Sequence, residues 1–146
     1  MSGVTPSSSI VDLFTHDLHF EPSGIIRADE RRMTDGNPAW RSAAIFQVET
    51  PEDVHADHWE KHPLGEEAVC CLRGAILLYL RGTQPDTPDD LIHLLPGQVS
   101  IVPRDRWHRL EADEPTDLLA VTVRHGTKLE KRTPSNDKTV SGSRTG

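Results

Sequence analysis

Two histidines and two glutamates have the residue types and the spacing that a metal site needs. Glu60 and His62 alternate along one predicted strand, so their side chains project to the same face. Glu67 opens the next predicted strand after a turn at residues 63–65, and His108 opens another strand later in the chain. Imidazole and carboxylate groups together suit a divalent first-row metal ion, whereas Ca²⁺ prefers oxygen ligands alone. The sequence therefore predicts a mixed nitrogen and oxygen site built from three strands.

The same residues also allow an interpretation in which the site holds no metal ion. Two carboxylates held close together repel one another, so one of them gains a raised pKa and can act as an acid or a base. Glu60 is the candidate for this catalytic role, although charged strand residues also commonly face water. His58 lies on the same predicted face as Glu60 and is either an alternative ligand or a residue of the pocket.

Further residues near these positions are candidates for the wall of a substrate pocket. Cys71 shares the predicted face of Glu67, so we expect a small buried thiol that points inward. Trp107 precedes His108 directly, and its aromatic ring suits either a pocket wall or the core. The complete set of pocket candidates is Tyr79, Cys71, Trp107 and His58.

Glycine and proline residues divide the middle of the chain into short segments rich in β-forming residues. None of these segments has room for a long helix, and the helix–strand alternation of a parallel α/β sheet is missing. Many short strands favour an all-β sandwich or barrel, and a closed barrel also removes exposed strand edges. The predicted strands cover residues 43–49, 55–62, 67–73, 75–81, 91–95, 98–103, 108–111 and 117–124.

The two ends differ from the segment between them, residues 16–125, which we expect to form the barrel. Residues 1–15 read as an N-terminal arm, in which Ile10, Leu13 and Phe14 recur at helical spacing and predict a short helix or turn capped by Ser9. Residues 126–146 carry five basic and two acidic residues and few apolar ones. Because so few apolar groups cannot offset the entropy lost on ordering, we expect a disordered tail.

Composition excludes several classes of protein. The 146 residues carry a net charge of −7, so the chain is a poor candidate for binding nucleic acid or an anionic membrane. The longest apolar run, residues 75–80, is too short to span a bilayer, and the first residues lack the features of a signal peptide. The two cysteines are adjacent, which excludes a disulfide scaffold. We expect a cytoplasmic protein that binds no nucleic acid and no membrane.

Residues 60–74 read E-x-H-x4-E-x6-G. This spacing resembles the first motif of the cupin superfamily, G-x5-H-x-H-x(3,4)-E-x6-G, with Glu60 in place of the first histidine. The sequence of residues 59–67 is W-E-K-H-P-L-G-E-E. It is similar to the W-E-x-H-P-x-G-D-E motif of a group of small single-domain cupins. Glu66 replaces the aspartate of that group.

A second stretch resembles the second cupin motif, G-x5-P-x-G-x2-H-x3-N. Residues 97–108 keep its spacing, with Asp105 in place of the second glycine and Ala112 in place of the asparagine. Residues 102–109, V-P-R-D-R-W-H-R, are similar to the V-P-x-G-x-W-H-R of the same small cupins. Together the two motifs make the resemblance cover about residues 43–124.

The resemblance implies an all-β jelly-roll barrel, or double-stranded β-helix, that is often dimeric and holds one metal ion. Carried over residue by residue, the ligands are Glu60, His62, Glu67 and His108. The ion is expected to be Mn, Fe, Ni or Zn. Similar cupins include dioxygenases, isomerases and lyases, so we expect a homodimeric enzyme that acts on a small polar molecule, with the metal as Lewis acid or O₂ site. The alternative is a cupin that binds or stores a small molecule without catalysis.

Overall fold

The computed structural model describes residues 10–31, 36–134 and 140–145. These residues form two six-stranded sheets, in which neighbouring strands are antiparallel except for one parallel pair, β12 with β7. The first sheet has the order β2 (Ile26–Glu30), β1 (His16–Phe20), β3 (Arg41–Val48), β10 (Thr116–Thr122), β5 (Glu67–Arg73), β8 (Val99–Val102). The second has the order β11 (Lys128–Lys131), β4 (His58–Lys61), β9 (His108–Glu111), β6 (Ile76–Leu80), β7 (Asp89–Leu94), β12 (Val140–Thr145).

The core lies between the two sheets because alternate residues of the central strands are apolar and point inward. In β5, Val69 and Cys71 are buried, and in β6, Ile76, Leu78 and Leu80 are buried. These side chains belong to one cluster with apolar residues of β3, β8 and β10. Alternation of this kind is what packs one face of each sheet and leaves the other face to solvent. The predicted all-β, jelly-roll architecture is confirmed.

Most of the predicted strands exist, and two of them, 67–73 and 108–111, have the predicted bounds. The strand predicted at 55–62 begins only at His58, because residues Pro51–Val54 form a short 3-10 helix. His55 ends that helix in the left-handed conformation, with φ 50°. The side chain of Asp53 accepts hydrogen bonds from the backbone N–H groups of Glu49 and Thr50, which fixes the start of the helix.

The predictions for the two ends have different outcomes. At the N-terminus, Asp12 accepts backbone hydrogen bonds from Thr15 and His16, which makes a turn, one of the two predicted forms, and β1 follows directly. The proposed cap, Ser9, lies outside the described residues. The expectation of a disordered tail after residue 125 does not hold for β11 and β12, which pair with β4 and β7. Backbone pairing with an existing strand orders a segment without requiring many apolar side chains.

No helix among the described residues has the length and the apolar composition that crossing a bilayer would require.

Candidate metal centre

Three strands from both sheets bring the predicted ligands together. Glu60 lies on β4 and pairs in register with His108 on β9. His62 follows β4 by one residue, and Glu67 opens β5 in the facing sheet. One ligand atom from each of these four side chains lies within 4.8 Å of the other three.

Turns flank these strands at two of the positions where the cupin motifs have glycine. Gly74 ends β5 with φ +83°, and a Cβ atom there would collide with the side chain of Thr116 and the carbonyl of Pro115. Asp105 stands where the second motif has glycine and adopts the left-handed conformation, with φ 62°. Aspartate tolerates this conformation better than most residues. The backbone N–H of Asp105 donates to the carbonyl of His62 at 2.9 Å, so this turn also fixes the position of His62.

The four side chains contact one another through nitrogen and oxygen atoms. His108 Nε2 lies 2.9 Å from Glu67 Oε1 and 3.8 Å from Glu60 Oε1. His62 Nε2 lies 3.0 Å from Glu60 Oε1 and 3.4 Å from Glu67 Oε1. The Glu60 side chain is 34% exposed, whereas that of Glu67 is 8% exposed and both imidazoles are buried. Glu60 is therefore the member of the cluster that is open to its surroundings.

In each imidazole, Nδ1 lies on the side away from the cluster and donates a hydrogen bond to an acceptor. His108 Nδ1 lies 2.9 Å from the carbonyl oxygen of Arg106, which can only accept, so Nδ1 carries a proton and donates it. His62 Nδ1 lies 2.8 Å from Thr127 Oγ1, whose own proton is donated to the carbonyl of Arg124 at 2.7 Å. Thr127 therefore accepts from His62. Both neutral imidazoles consequently present the lone pair of Nε2 to the cluster, which is the arrangement of metal-ligating histidines.

This arrangement fits a divalent metal ion. Two lone pairs and two carboxylates face a common centre, and acceptors facing acceptors are stable only if a cation lies between them. His62 Nε2 is buried and has no properly directed hydrogen bond among the described residues, although two carboxylate oxygens lie close to it. A set of two imidazoles and two carboxylates matches the ligand preferences of first-row divalent ions.

In the metal-free protein, protons take the place of that cation. Burial opposes a charge on His62, but the carboxylates of Glu60 and Glu67 outweigh burial and raise its pKa to about 10. Burial likewise opposes a charge on His108, and Glu67 raises its pKa above the ordinary value. Burial would raise the pKa of Glu67, but its hydrogen bond to His108 and the nearby imidazole of His62 lower it to about 2. Protonated imidazole then supplies the positive charge that a metal ion would bring.

A cavity of about 320 Å³ opens beside this cluster, with Glu60, His62 and Glu67 in its wall. The rest of the wall is part apolar and part polar. It comprises Arg31, Ser42, Phe46, Asp53, Val54, His55, Leu110, Leu118, Ala120, Thr122, Arg124, Thr127 and Leu129. The size suits a small molecule.

The structure places the four predicted pocket residues elsewhere, and none of them lines this cavity. Cys71 points inward as expected, but it is packed within the apolar core. Tyr79 alternates with the inward-facing residues of β6, and its ring lies 3.8 Å from the guanidinium of Arg109. Trp107 contacts Arg81 by its ring, and His58 Nδ1 bonds to Asp57 Oδ1 at 2.9 Å. Adjacency in sequence put Trp107 near His108, but neighbouring residues of an extended chain face opposite sides.

Sequence reasoning missed several residues that line the cavity. Thr127 holds His62, but it lies in the segment expected to be disordered. Arg31 lies just after β2, a strand that was not predicted, and Arg124 follows β10. Both arginines bind the buried carboxylate of Asp17 on β1. No local motif marks these positions, because the strands that bring them together are distant in sequence.

No protein-family model and no curated protein matches this sequence. Among solved structures, oxalate decarboxylase from Bacillus subtilis, a protein with Mn(II) centres, is 19% identical over 62% of this chain, with a TM-score of 0.47. Oxalate decarboxylase from Lactobacillus farciminis, in a formate complex, is 22% identical over 62% of this chain, with a TM-score of 0.48. A cupin-2 domain containing protein from Shewanella frigidimarina is 18% identical over 70% of this chain and 76% of its own, with a TM-score of 0.42.

The matched region makes up 23% of the Bacillus subtilis chain and 26% of the Lactobacillus farciminis chain, so this protein spans about a quarter of each decarboxylase. Fold and site together define a β-barrel protein with a candidate metal centre at one side of a small internal cavity.

Proposed function

We propose that this protein binds one divalent first-row metal ion through Glu60, His62, Glu67 and His108 and acts on a small polar molecule in the adjoining cavity. One observation carries the proposal: the Nδ1 atoms of both histidines donate to fixed acceptors, which turns both Nε2 lone pairs toward the carboxylates. A metal ion satisfies all of these acceptors at once. Because the set holds no thiolate, Mn, Fe, Ni and Zn are the candidate metals.

When bound, such an ion supplies Lewis-acid or O₂ chemistry of the dioxygenase, isomerase or lyase type. The other roles in the site belong to residues of the chain. Buried Glu67, His62 and His108 hold positions that are fixed by the core and by hydrogen bonds. Glu60 is more exposed and lines the cavity, so it can leave the ligand set and accept a proton from the bound molecule as a general base.

Elemental analysis of the purified protein tests the metal site. After removal of metal with a chelator and separate reloading with Mn, Fe, Ni or Zn, we expect about one equivalent per chain for at least one metal, as for any site with a single ligand set. Failure of all four metals to bind would overturn the proposal and favour a metal-free carboxylate pair as acid and base.

Adjacent glutamates offer a matched pair of variants. Glu67→Gln removes a buried member of the cluster and should abolish binding, whereas Glu66→Gln changes an exposed neighbour and should leave metal content unaltered. Glu60→Gln should keep the metal, since it removes the most exposed of the four ligands and leaves the three buried ones in place. Equal losses in the Glu66 and Glu67 variants would show that the ligand set is wrong.

A further inference from the structure

A second group of charged residues lines the same cavity as the candidate metal centre. Arg31 and Arg124 both contribute to the wall, and Asp17 lies behind them with a side chain that is only 3% exposed. Arg31 Nε lies 3.0 Å from Asp17 Oδ1, and Arg124 Nη1 lies 2.8 Å from Asp17 Oδ2. Two guanidinium groups and one carboxylate leave this cluster with one positive charge in excess.

Arg31 is held by several acceptors, Arg124 by Asp17, and both arginines still have N–H groups to offer. Arg31 Nη2 donates to the carbonyls of Leu13 at 2.7 Å and Ile45 at 2.9 Å. Among the described residues, these contacts and those to Asp17 use Nε and Nη2 of Arg31 and Nη1 of Arg124. Arg31 Nη1 and Arg124 Nη2 are left for another partner. A fixed pair of guanidinium groups loses little entropy when it binds an anion.

A buried hydroxyl at the cavity wall points to the same kind of occupant. Thr122 is 6% exposed, and its Oγ1 has no hydrogen-bond partner among the described residues. A buried hydroxyl without a partner costs free energy, so it requires a water, an ion or a ligand group beside it. Thr122 lines the cavity together with Arg31 and Arg124.

We infer that Arg31, Arg124 and Thr122 bind the carboxylate of a small organic acid, and that such acids are the substrate class of the metal centre. The second part rests on the function proposed above. A carboxylate matches the guanidinium geometry, and its single charge equals the excess of the cluster. Besides Glu60 and Glu67 of the metal centre, the wall contains the carboxylate of Asp53, which accepts hydrogen bonds from the backbone N–H groups of Glu49 and Thr50. The apolar wall, which includes Phe46, Leu110 and Leu118, suits the carbon skeleton of the acid.

A titration of the ¹⁵N-labelled, metal-free protein with acetate tests the anion site without involving the metal. Acetamide, which has the same shape and no charge, is the control ligand, and sodium chloride holds the ionic strength constant. We expect acetate to shift the Nε–H signals of Arg31 and Arg124 and the amide signal of Thr122 in a saturable way, and acetamide to leave them unchanged. No saturation, or the same response to acetamide, would overturn the inference.

Three variants test which residues bind acetate. Arg124→Gln leaves Asp17 paired with Arg31 and should raise the dissociation constant for acetate about tenfold, as expected for a lost charge-assisted hydrogen bond. Thr122→Val keeps the shape of the side chain and should raise the dissociation constant for acetate by a smaller factor. Arg73→Gln, which changes an exposed arginine paired with Asp117, should have no effect. If Arg124→Gln and Thr122→Val both bind acetate as tightly as the unaltered protein, the assignment is wrong.

Metal content, measured on the same samples, separates this inference from the proposed function. A protein that takes up metal but does not bind acetate would overturn the anion site and leave the metal site standing. A protein that binds acetate at the arginines but takes up no metal would support the anion site and overturn the substrate class drawn from it.

Discussion

Asp17 and Glu67 are both buried carboxylates beside one cavity, but their partners differ in kind. Asp17 lies between two guanidinium groups, which carry permanent positive charge and only donate. Glu67 lies between two imidazoles whose Nδ1 protons are already donated to other groups. The protein itself therefore neutralises Asp17, whereas Glu67 and Glu60 need either two extra protons or a metal ion.

The direction of hydrogen bonds, and not the number of charged residues, distinguishes a structural ion-pair cluster from a ligand site. The Asp17 cluster is neutralised without an added cation and has donors left over, so the ligand that suits it is an anion. The Glu67 cluster has an excess of acceptors, so the ligand that suits it is a cation.

The largest expected effect concerns the histidines. His62→Ala or His108→Ala removes a nitrogen ligand, so metal content should fall from about one equivalent to near zero. Metal should also no longer raise the melting temperature, because ligand at a hundred times its dissociation constant stabilises the fold by about 2.7 kcal/mol. Elemental analysis and thermal unfolding with and without metal provide the measurements. Full metal content in both variants would show that these two histidines are not metal ligands.

Asp17→Asn should damage stability rather than metal binding. The substitution leaves two partly buried guanidinium groups without their shared negative charge, and breaking such a pair costs about 3 kcal/mol. Urea unfolding measures the loss, and metal content should not change. As a control, Asp117→Asn breaks a pair with the exposed Arg73 and should cost less than about 1 kcal/mol. Loss of metal in the Asp17 variant would mean that the two clusters are not independent.

Thr127→Val should weaken metal binding without abolishing it. The variant loses the acceptor that fixes the proton on His62 Nδ1, and the loss of such a partner lowers metal affinity about tenfold. Thr127→Ser keeps the hydroxyl and should bind metal as the unaltered protein does. Competition with a chromogenic chelator measures the affinity. An unchanged affinity for the metal in the valine variant would show that Thr127 does not support metal binding.

The metal-free protein should also show a pH dependence of its stability. The pKa of His62 is raised from 6.5 to about 10 in the fold, so the folded state holds this proton more tightly than the unfolded state does. The resulting stability is fully present below pH 6.5 and is lost as the pH rises from 6.5 toward 10. We expect the melting temperature to fall over that range, and to fall less in His62→Gln. An equal fall in both proteins would assign the effect to other groups.

Sequence patterns located the centre of the barrel well because they act locally. Alternation in residues 67–73 put Glu67, Val69 and Cys71 on one buried face, as the structure shows. Predictions failed where a distant partner decides the outcome. Residues 128–131 have little apolar character and are nevertheless ordered, because their backbone pairs with β4. Near residue 13, where the pattern predicted a short helix or turn, the structure has the turn, because β1 begins directly after it.

By itself, the sequence determined the all-β class and the four residues of the candidate metal centre, since strand alternation and motif spacing depend on neighbouring residues. Only the tertiary structure decided which nitrogen of each histidine faces the carboxylates, because that choice depends on Thr127 and the carbonyl of Arg106. The tertiary structure also assembled the arginine side of the cavity. Asp17, Arg31 and Arg124 come from distant parts of the chain, and hydrogen bonds between such parts form only when the two sheets pack.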